Sequence, residues 1–343
     1  FYIVLEEDGN LRGVALWTFG YSTWKGRVMN LDSLATDETL DGVETSKPLQ
    51  VMLMTTLISV AKLFDCVRIV YQVEEEKAAS FQKNFNCDLL AEWLTLQMGR
   101  DQVQSFVSTR DRWAKGLRIR YPSHKENDHL DPITSKPGKK TQSVNDTFMD
   151  QILLKMNAIF DCCRLTNGPD AHNNRNEYTR IRFREATASD ADSILNLVHG
   201  LASYEKASHE VSVRSSIYVR DDPLFECILV EVISGDPNNI VTSSSCSSKV
   251  VGMGFYYLGY ALSSGKYLYL EDLFIEHEYR GYGCGKALMY CLAEISMKLG
   301  CSRFVWQALD WNSPALNFYD SIGATTCNGL KTIRLGQENI DAY

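Results

Sequence analysis

The chain has 343 residues, 45% of them hydrophobic, with 35 Lys and Arg against 43 Asp and Glu, a net charge of -8 and a pI near 5.4. That length exceeds one typical domain, and the apolar content is enough for two buried cores. The acidic balance argues against nucleic acid, whose phosphates it would repel, and makes small cationic molecules the more natural partners. Ten scattered cysteines, with one adjacent pair at Cys162 and Cys163 and no Cys-x-x-Cys repeat, suggest neither a zinc site nor a disulfide framework, and they read as buried thiols in a reducing compartment. The six histidines show no metal spacing. No secretory leader is visible, and the longest apolar run, 51–64, is too short to span a bilayer, so a cytoplasmic protein away from membranes is expected. The chain opens at Phe1 in what reads as mid-strand, so a preceding stretch is expected.

Three regions follow in chain order. Residues 1–100 read as a first domain. Residues 101–178 differ in composition: Lys136-Pro137-Gly138-Lys139-Lys140, Asn167-Gly168-Pro169-Asp170 and Asn173-Asn174-Arg175-Asn176 are turn and linker sequences. One helix is expected inside this linker at 144–162, where Phe148, Ile152, Leu153, Met156, Ile159 and Phe160 recur at helical spacing. Residues 179–343 read as a second domain of order β, α, α, β, β, β, α, β, α, β. Its strands are expected at 181–185, 227–233, 250–260, 267–275, 303–308 and 331–335, and its helices include 190–204, one from Lys286 onward, and 314–322.

The two halves share an internal pattern. Gly20-Tyr21-Ser22-Thr23-Trp24-Lys25-Gly26-Arg27 ahead of Leu31-Asp32-Ser33-Leu34 parallels Gly259-Tyr260-Ala261-Leu262-Ser263-Ser264-Gly265-Lys266 ahead of Leu270-Glu271-Asp272-Leu273. Residues 62–72 parallel 298–307, and Ser80-Phe81-Gln82 parallels Asn317-Phe318-Tyr319. The chain therefore reads as a tandem repeat of one α/β domain. The copies differ where chemistry would sit. The first has Asp41-Gly42-Val43-Glu44-Thr45-Ser46-Lys47-Pro48 in place of a glycine-spaced loop, Gln82 in place of Tyr319, and Asp32 in place of Glu271.

In the second copy, Arg280-Gly281-Tyr282-Gly283-Cys284-Gly285-Lys286 stands between a strand and a helix. Glycines there let backbone N–H groups turn inward without Cβ clashes, and the unpaired N–H groups of the helix N-terminus add the positive end of its dipole, a device for holding phosphate. Glu271 and Asp272 lie on the preceding strand, and Asn312 and Tyr319 follow about thirty residues later. Neighbours on a strand face opposite sides, so Asp272 shares Glu271's face only if a bulge turns both inward.

This combination resembles the GNAT superfamily of acetyl-CoA-dependent N-acetyltransferases. Tyr269-Leu270-Glu271-Asp272, Tyr279-Arg280-Gly281, Leu309-Asp310-Trp311-Asn312, Asn317-Phe318-Tyr319 and Leu201-Ala202-Ser203-Tyr204-Glu205-Lys206 together resemble its diamine (spermidine/spermine) acetyltransferase family, with the thialysine branch. The likeness covers about 179–335; the first half shares Tyr21-Ser22-Thr23-Trp24-Lys25-Gly26-Arg27 but not the cofactor loop.

The resemblance implies tandem GNAT-like domains of mixed, mostly antiparallel sheet flanked by helices, the first truncated and degenerate. It implies acetyl-CoA held by Leu273, Phe274, Ile275, Arg280, Gly281, Tyr282, Gly283, Cys284, Gly285, Lys286, Asn312 and Tyr319. Tyr204, Glu205, Glu271, Asp272, Val305, Trp306 and Gln307 would meet a small cationic amine. A primary amine is protonated at neutral pH, so a carboxylate must both attract the cation and take its proton, a role for Glu271; Tyr319, which alone would read as core, would protonate the departing thiolate. No metal is needed. Two alternatives stay open, an acetyltransferase for protein lysines or N-termini and a non-catalytic acetyl-CoA-binding scaffold. Trp311 and the Tyr204 segment lean toward the thialysine branch, whereas Ala261-Leu262-Ser263 departs from its Ser-Thr-Trp loop. The family's homodimeric habit implies either a homodimer or an intramolecular pseudo-dimer in which the Trp24 loop approaches the second unit's substrate side.

Overall fold

In a computed structural model of the protein, residues 1–37, 46–116, 148–160, 178–218, 225–235 and 247–342 are described. Alternating apolar and polar residues give three antiparallel strands, β1 (Tyr2–Glu7), β2 (Asn10–Ser22) and β3 (Gly26–Thr36). The helix α1 (Ser46–Leu63) buries Leu53, Met54, Leu57, Ile58 and Ala61 against them. The chain continues through β4 (Arg68–Glu74), α2 (Glu75–Phe85), β5 (Asp88–Leu89), β6 (Trp93–Gly99), α3 (Arg100–Ser108), α4 (Arg110–Gly116) and α5 (Phe148–Phe160).

The second half runs β7 (Tyr178–Glu185), α6 (Ala191–Tyr204), β8 (Glu226–Gly235), β9 (Ser247–Ala261), β10 (Gly265–Ile275), α7 (Cys284–Lys298), β11 (Arg303–Leu309), α8 (Ser313–Ser321), β12 (Thr325–Thr326), β13 (Leu330–Gly336) and α9 (Gln337–Ala342). Single 3-10 turns at Ser208–Glu210 and Ser215–Tyr218 stand where a second helix is expected after 204.

Among the described residues two sheets form, and each takes a strand from the other half. One has the order β1-β2-β3-β4-β13-β5 and the other β12-β6-β11-β10-β9-β8-β7. Thus β13, the last strand of the second half, pairs with β4, while β6 of the first half pairs with β11. At the crossing, Gln307 donates to Thr95 at 3.2 Å and to Thr332, and Gln72 donates to Thr95 at 2.9 Å. Only β3 with β4 and β10 with β11 run parallel among the described pairings.

The segment 101–178 holds three helices among its described residues, where the sequence suggests one. Val103 and Phe106 of α3 are buried with Ile152, Met156 and Phe160 of α5 in the cluster around α7, and Phe106 stacks on Tyr290 at 4.1 Å. Polar residues between the apolar ones mask this face in the sequence. The turn sequences at 136–140, 167–170 and 173–176, and the pair Cys162 and Cys163, lie outside the described residues. On the opposite face of the second sheet, α6 buries Ile194, Leu197, Val198 and Leu201 against Leu229, Met253 and Phe255. Tyr21 of β2 joins this cluster, with its ring 4.7 Å from Phe225.

Candidate active site

The parallel pairing of β10 with β11 covers only Tyr267 to Leu270 and Arg303 to Trp306. Beyond it, β10 continues to Ile275 paired with β9, and β11 continues to Leu309 paired with β6, so the two strands part. A cavity of about 580 Å³ occupies this wedge. Glu271 to Ile275 line it from β10 and Trp306 to Leu309 from β11. Strand edges that have lost their ladder partner present free N–H and C=O groups, suited to an extended amide-bearing ligand.

The glycine loop closes one end. Gly281 and Gly283 adopt φ of 83° and 84°, the left-handed region open to glycine, and Gly283 is the N-cap of α7. The helix starts at Cys284, two residues before the expected Lys286, because Gly283 makes the turn that later residues are not needed for. The first-turn residues Gly285 and Lys286 therefore bring their backbone amides, at the positive end of the helix, to the cavity. A Cβ built on Gly285 would meet nothing within 4 Å, so the loop leaves room for a ligand to approach the backbone. Arg280 donates from Nε to the Ile275 carbonyl at 2.9 Å and stacks its guanidinium over Tyr204 and Phe274. Burial pulls the Lys286 ammonium below its usual range.

At the other end, β9 skips one residue of β10: Tyr256 faces Leu270 and Phe255 faces Asp272, leaving Glu271 as the extra residue. The bulge breaks the alternation, and both carboxylates line the cavity. Asp32 is the extra residue of the corresponding bulge between Leu31 and Ser33 in the first sheet. Burial raises Glu271 and Asp272 above the ordinary carboxylate range, with Arg68 opposing it for both. Glu205, on the same cavity, is pushed up to about 8 by burial and then by the charge of Asp272. Tyr319 is buried, its ring 5.1 Å from Trp306, and its phenol is held above its usual range by burial and the charges of Glu205 and Asp272. Asn312 caps α8 by accepting from the Ala315 amide and also accepts from the Tyr204 hydroxyl at 3.1 Å.

A family model described as Acetyltransferase (GNAT) family matches residues 212–324. Thialysine N-epsilon-acetyltransferase of Mus musculus is 37% identical over 147 residues, 42% of this chain and 83% of that protein. The chain belongs to the GNAT acetyltransferase family. The thialysine N-epsilon-acetyltransferase of Sus scrofa is 35% identical over 167 residues, 46% of this chain and 94% of that protein. Spermidine/spermine N(1)-acetyltransferase-like protein 1 of Homo sapiens is 31% identical over 149 residues, 42% of this chain and 20% of that protein. Among solved structures, a tandem GNAT protein from the clavulanic acid biosynthesis pathway aligns with a TM-score of 0.42 and 10% identity, over 98% of this chain and 82% of that chain.

This GNAT acetyltransferase brings nearly all of the residues named from its sequence to one cavity. Two stand apart: Tyr282 packs on the core around α7, and Val305 lines a smaller cavity with Asn30, Asp32 and Tyr257. Lys206 lies 5.8 Å from the Trp311 ring rather than paired with Glu205. The first-half loop at 41–45 lies outside the described residues. Four residues at or beside the cavity are not among the site residues named from the sequence. Thr23 donates to Asp272, Arg68 pairs with Glu271 at 3.5 Å, and Trp93 and Trp113 line the wall. The repeat already flags Thr23, since it sits in the shared motif; the other three depend on the strand exchange and on the missed helix α4. Trp24 packs against the α6 cluster, its carbonyl accepting from the Ser212 amide at 2.9 Å, and Lys25 pairs with Glu210 at 2.9 Å.

Proposed function

We propose that this chain transfers the acetyl group of acetyl-CoA to the primary amine of a small cationic molecule of the thialysine or polyamine type. The observation that carries the reading is the β10 bulge, which turns Glu271 and Asp272 into the same cavity that the first-turn amides of α7 line. An anion held by the Gly285 and Lys286 amides and a cation drawn to the carboxylates then lie in one wedge, with Tyr319 on its wall. Bound acetyl-CoA would supply a thioester carbon to the amine.

The proton count assigns the side chains. Turning R–NH3⁺ into an amide removes two protons from nitrogen while the C–S bond breaks and the N–C bond forms; sulfur regains one proton and the other leaves to solvent. Glu271 is the first acceptor, because its position at the bulge keeps it on the wall beside Asp272. Tyr319 is the donor to sulfur, since a phenol with a raised pKa keeps its proton at neutral pH. Asp272 adds negative charge, and Glu205 a carboxyl acceptor, for the remaining cationic part of the amine. Leu273 to Ile275 offer backbone groups for the amide-bearing arm, and Asn312 stands at the mouth with Tyr204.

Parallel assays with spermidine, thialysine and a lysine-bearing peptide test this reading. Acetylation of either small amine at a kcat/KM at least tenfold above the peptide is expected. Preference for the peptide overturns the small-amine assignment, and no turnover with any of the three overturns the enzyme assignment.

A further inference from the structure

The carboxylate that the proposed reaction uses is held by an arginine from the degenerate half. Arg68, the first residue of β4, reaches Glu271 with Nη2 to Oε1 at 3.5 Å. The side chains are 22% and 15% exposed, so the pair is shielded from water and less screened than a surface pair. The Nε of Arg68 is buried with no hydrogen-bond partner among the described residues, and the guanidinium's hydrogen bond from Nη2 goes to Glu271. Arg68 does not line the 580 Å³ cavity, whereas Glu271 does, so the arginine stands behind the carboxylate rather than in the substrate's path.

The same cross-unit relation recurs in reverse. Arg303 opens β11 opposite Tyr267 as Arg68 opens β4 opposite Val28, and Arg303 lines the smaller cavity together with Asp32, the bulge carboxylate of the first sheet. Each half thus sends the arginine of its parallel strand toward the other half's bulge carboxylate. In the first sheet that carboxylate is occupied by Tyr267, which donates to it at 2.6 Å, and by Thr18. Glu271 has no such hydroxyl partner among its described hydrogen bonds, and among the described residues the arginine is the cation whose charge acts on it.

We propose that Arg68 is a positioning residue for the second unit's reaction, keeping the Glu271 carboxylate anionic and in place beside Asp272. This rests on the acetyltransfer reading above. The groups facing Glu271 are Asp272 and Tyr269 on its own strand, Tyr257 on β9, Glu205 at the end of α6 and Arg68 on β4. Two of these are carboxyl groups, two are neutral phenols and one is basic, so with Arg68 removed no cation among these described residues offsets the neighbouring carboxyl groups. The loss should raise the pH at which Glu271 ionises, since an opposite charge at this range lowers a carboxyl group by roughly 1 to 3 pH units.

The test is the pH profile of kcat/KM for Arg68→Met, Arg68→Lys and the parent protein with the best amine. In R68M the acid limb should move up by about one pH unit or more, with activity at pH 7 reduced about tenfold and largely recovered above pH 9. R68K should restore most of the shift, and R68M placed on Glu271→Gln should move nothing further. A purely structural arginine would lower activity at every pH alike and leave the limb in place, which overturns the proposal, as does an R68K profile no better than R68M. If R68M does not fold, Arg68→Gln replaces it and the same limb decides. A ¹³C NMR titration of the Glu271 carboxyl, assigned by E271Q, reads the pair without turnover. An unshifted titration sinks the Arg68 assignment, while absent turnover in the parent protein sinks only the reaction.

Discussion

At the scale of single residues, the cavity gathers carboxyl groups and a phenol that burial holds away from their usual titration. Glu271→Gln preserves shape and removes proton acceptance, so turnover should fall at pH 7 and recover partly as the free-amine fraction grows with pH. Tyr319→Phe should lower kcat by about 10² to 10⁴ with acetyl-CoA affinity nearly unchanged. Stopped-flow turnover and calorimetric titration of both variants check this, and parent-like rates would leave neither residue a role. Glu205 carries a second, independent consequence. Its folded-state value near 8 exceeds the ordinary 4.5, so the folded protein holds a proton that the unfolded chain releases between those values. Stability therefore declines as pH rises through that window and is greatest below it. Glu205→Gln should flatten the decline and raise the melting temperature at pH 8.5 while changing it little at pH 4.5. Equal slopes in melting scans without amine would contradict the assignment.

At the scale of elements, the helix α7 and its loop were legible before any coordinates, because glycine spacing is a local signal that local chemistry explains. The bulge was not. Glu271 and Asp272 are adjacent, and alternation alone puts them on opposite faces; only the skipped residue opposite Tyr256 and Phe255 brings both to the cavity. The helices α3 and α4 were hidden for a related reason, since Val103, Phe106 and Trp113 are separated by charged and polar residues whose burial partners lie on α7 and α5. The loop itself gives a prediction that separates ligand contact from backbone strain. Gly285 has open space at its Cβ and no positive φ, whereas Gly283 sits at φ 84°. Gly285→Asp places a carboxylate at a helix N-terminus, which favours the fold, yet sets it where an anion would lie. Acetyl-CoA affinity should fall more than tenfold with the melting temperature held or raised. Gly283→Asp should lose affinity and stability together. If G285D binds acetyl-CoA like the parent protein, the α7 amides are not the anion site.

At the scale of the whole molecule, the exchange of β6 and β13 is the feature that sequence could least reveal. Both are short alternating strands, and nothing local tells a strand which sheet it joins; Ile333 and Leu335 of β13 are buried in the first-half core and Leu96 and Met98 of β6 in the cluster around α7, while Thr95, Thr332, Gln72 and Gln307 hydrogen-bond where the halves cross. The tandem repeat was readable from the paired motifs, and the matching bulges at Asp32 and Glu271 carry it into three dimensions. Exchange also couples the halves energetically. The first sheet loses its β4 neighbour if the second half unfolds, and the second loses the strand beside β11 if the first does. Neither half has a complete sheet of its own, so the two should unfold as one cooperative unit. Leu57, fully buried in α1 far from the cavity, provides the probe. Leu57→Ala should cost about 2 to 5 kcal/mol by the cavity it leaves. In calorimetry the parent protein should give one transition, which L57A moves as a whole, and loss of tryptophan fluorescence and of amine acetylation should track it together. Two separate transitions, with only one of them displaced by L57A, would show that the halves stand alone despite the shared strands.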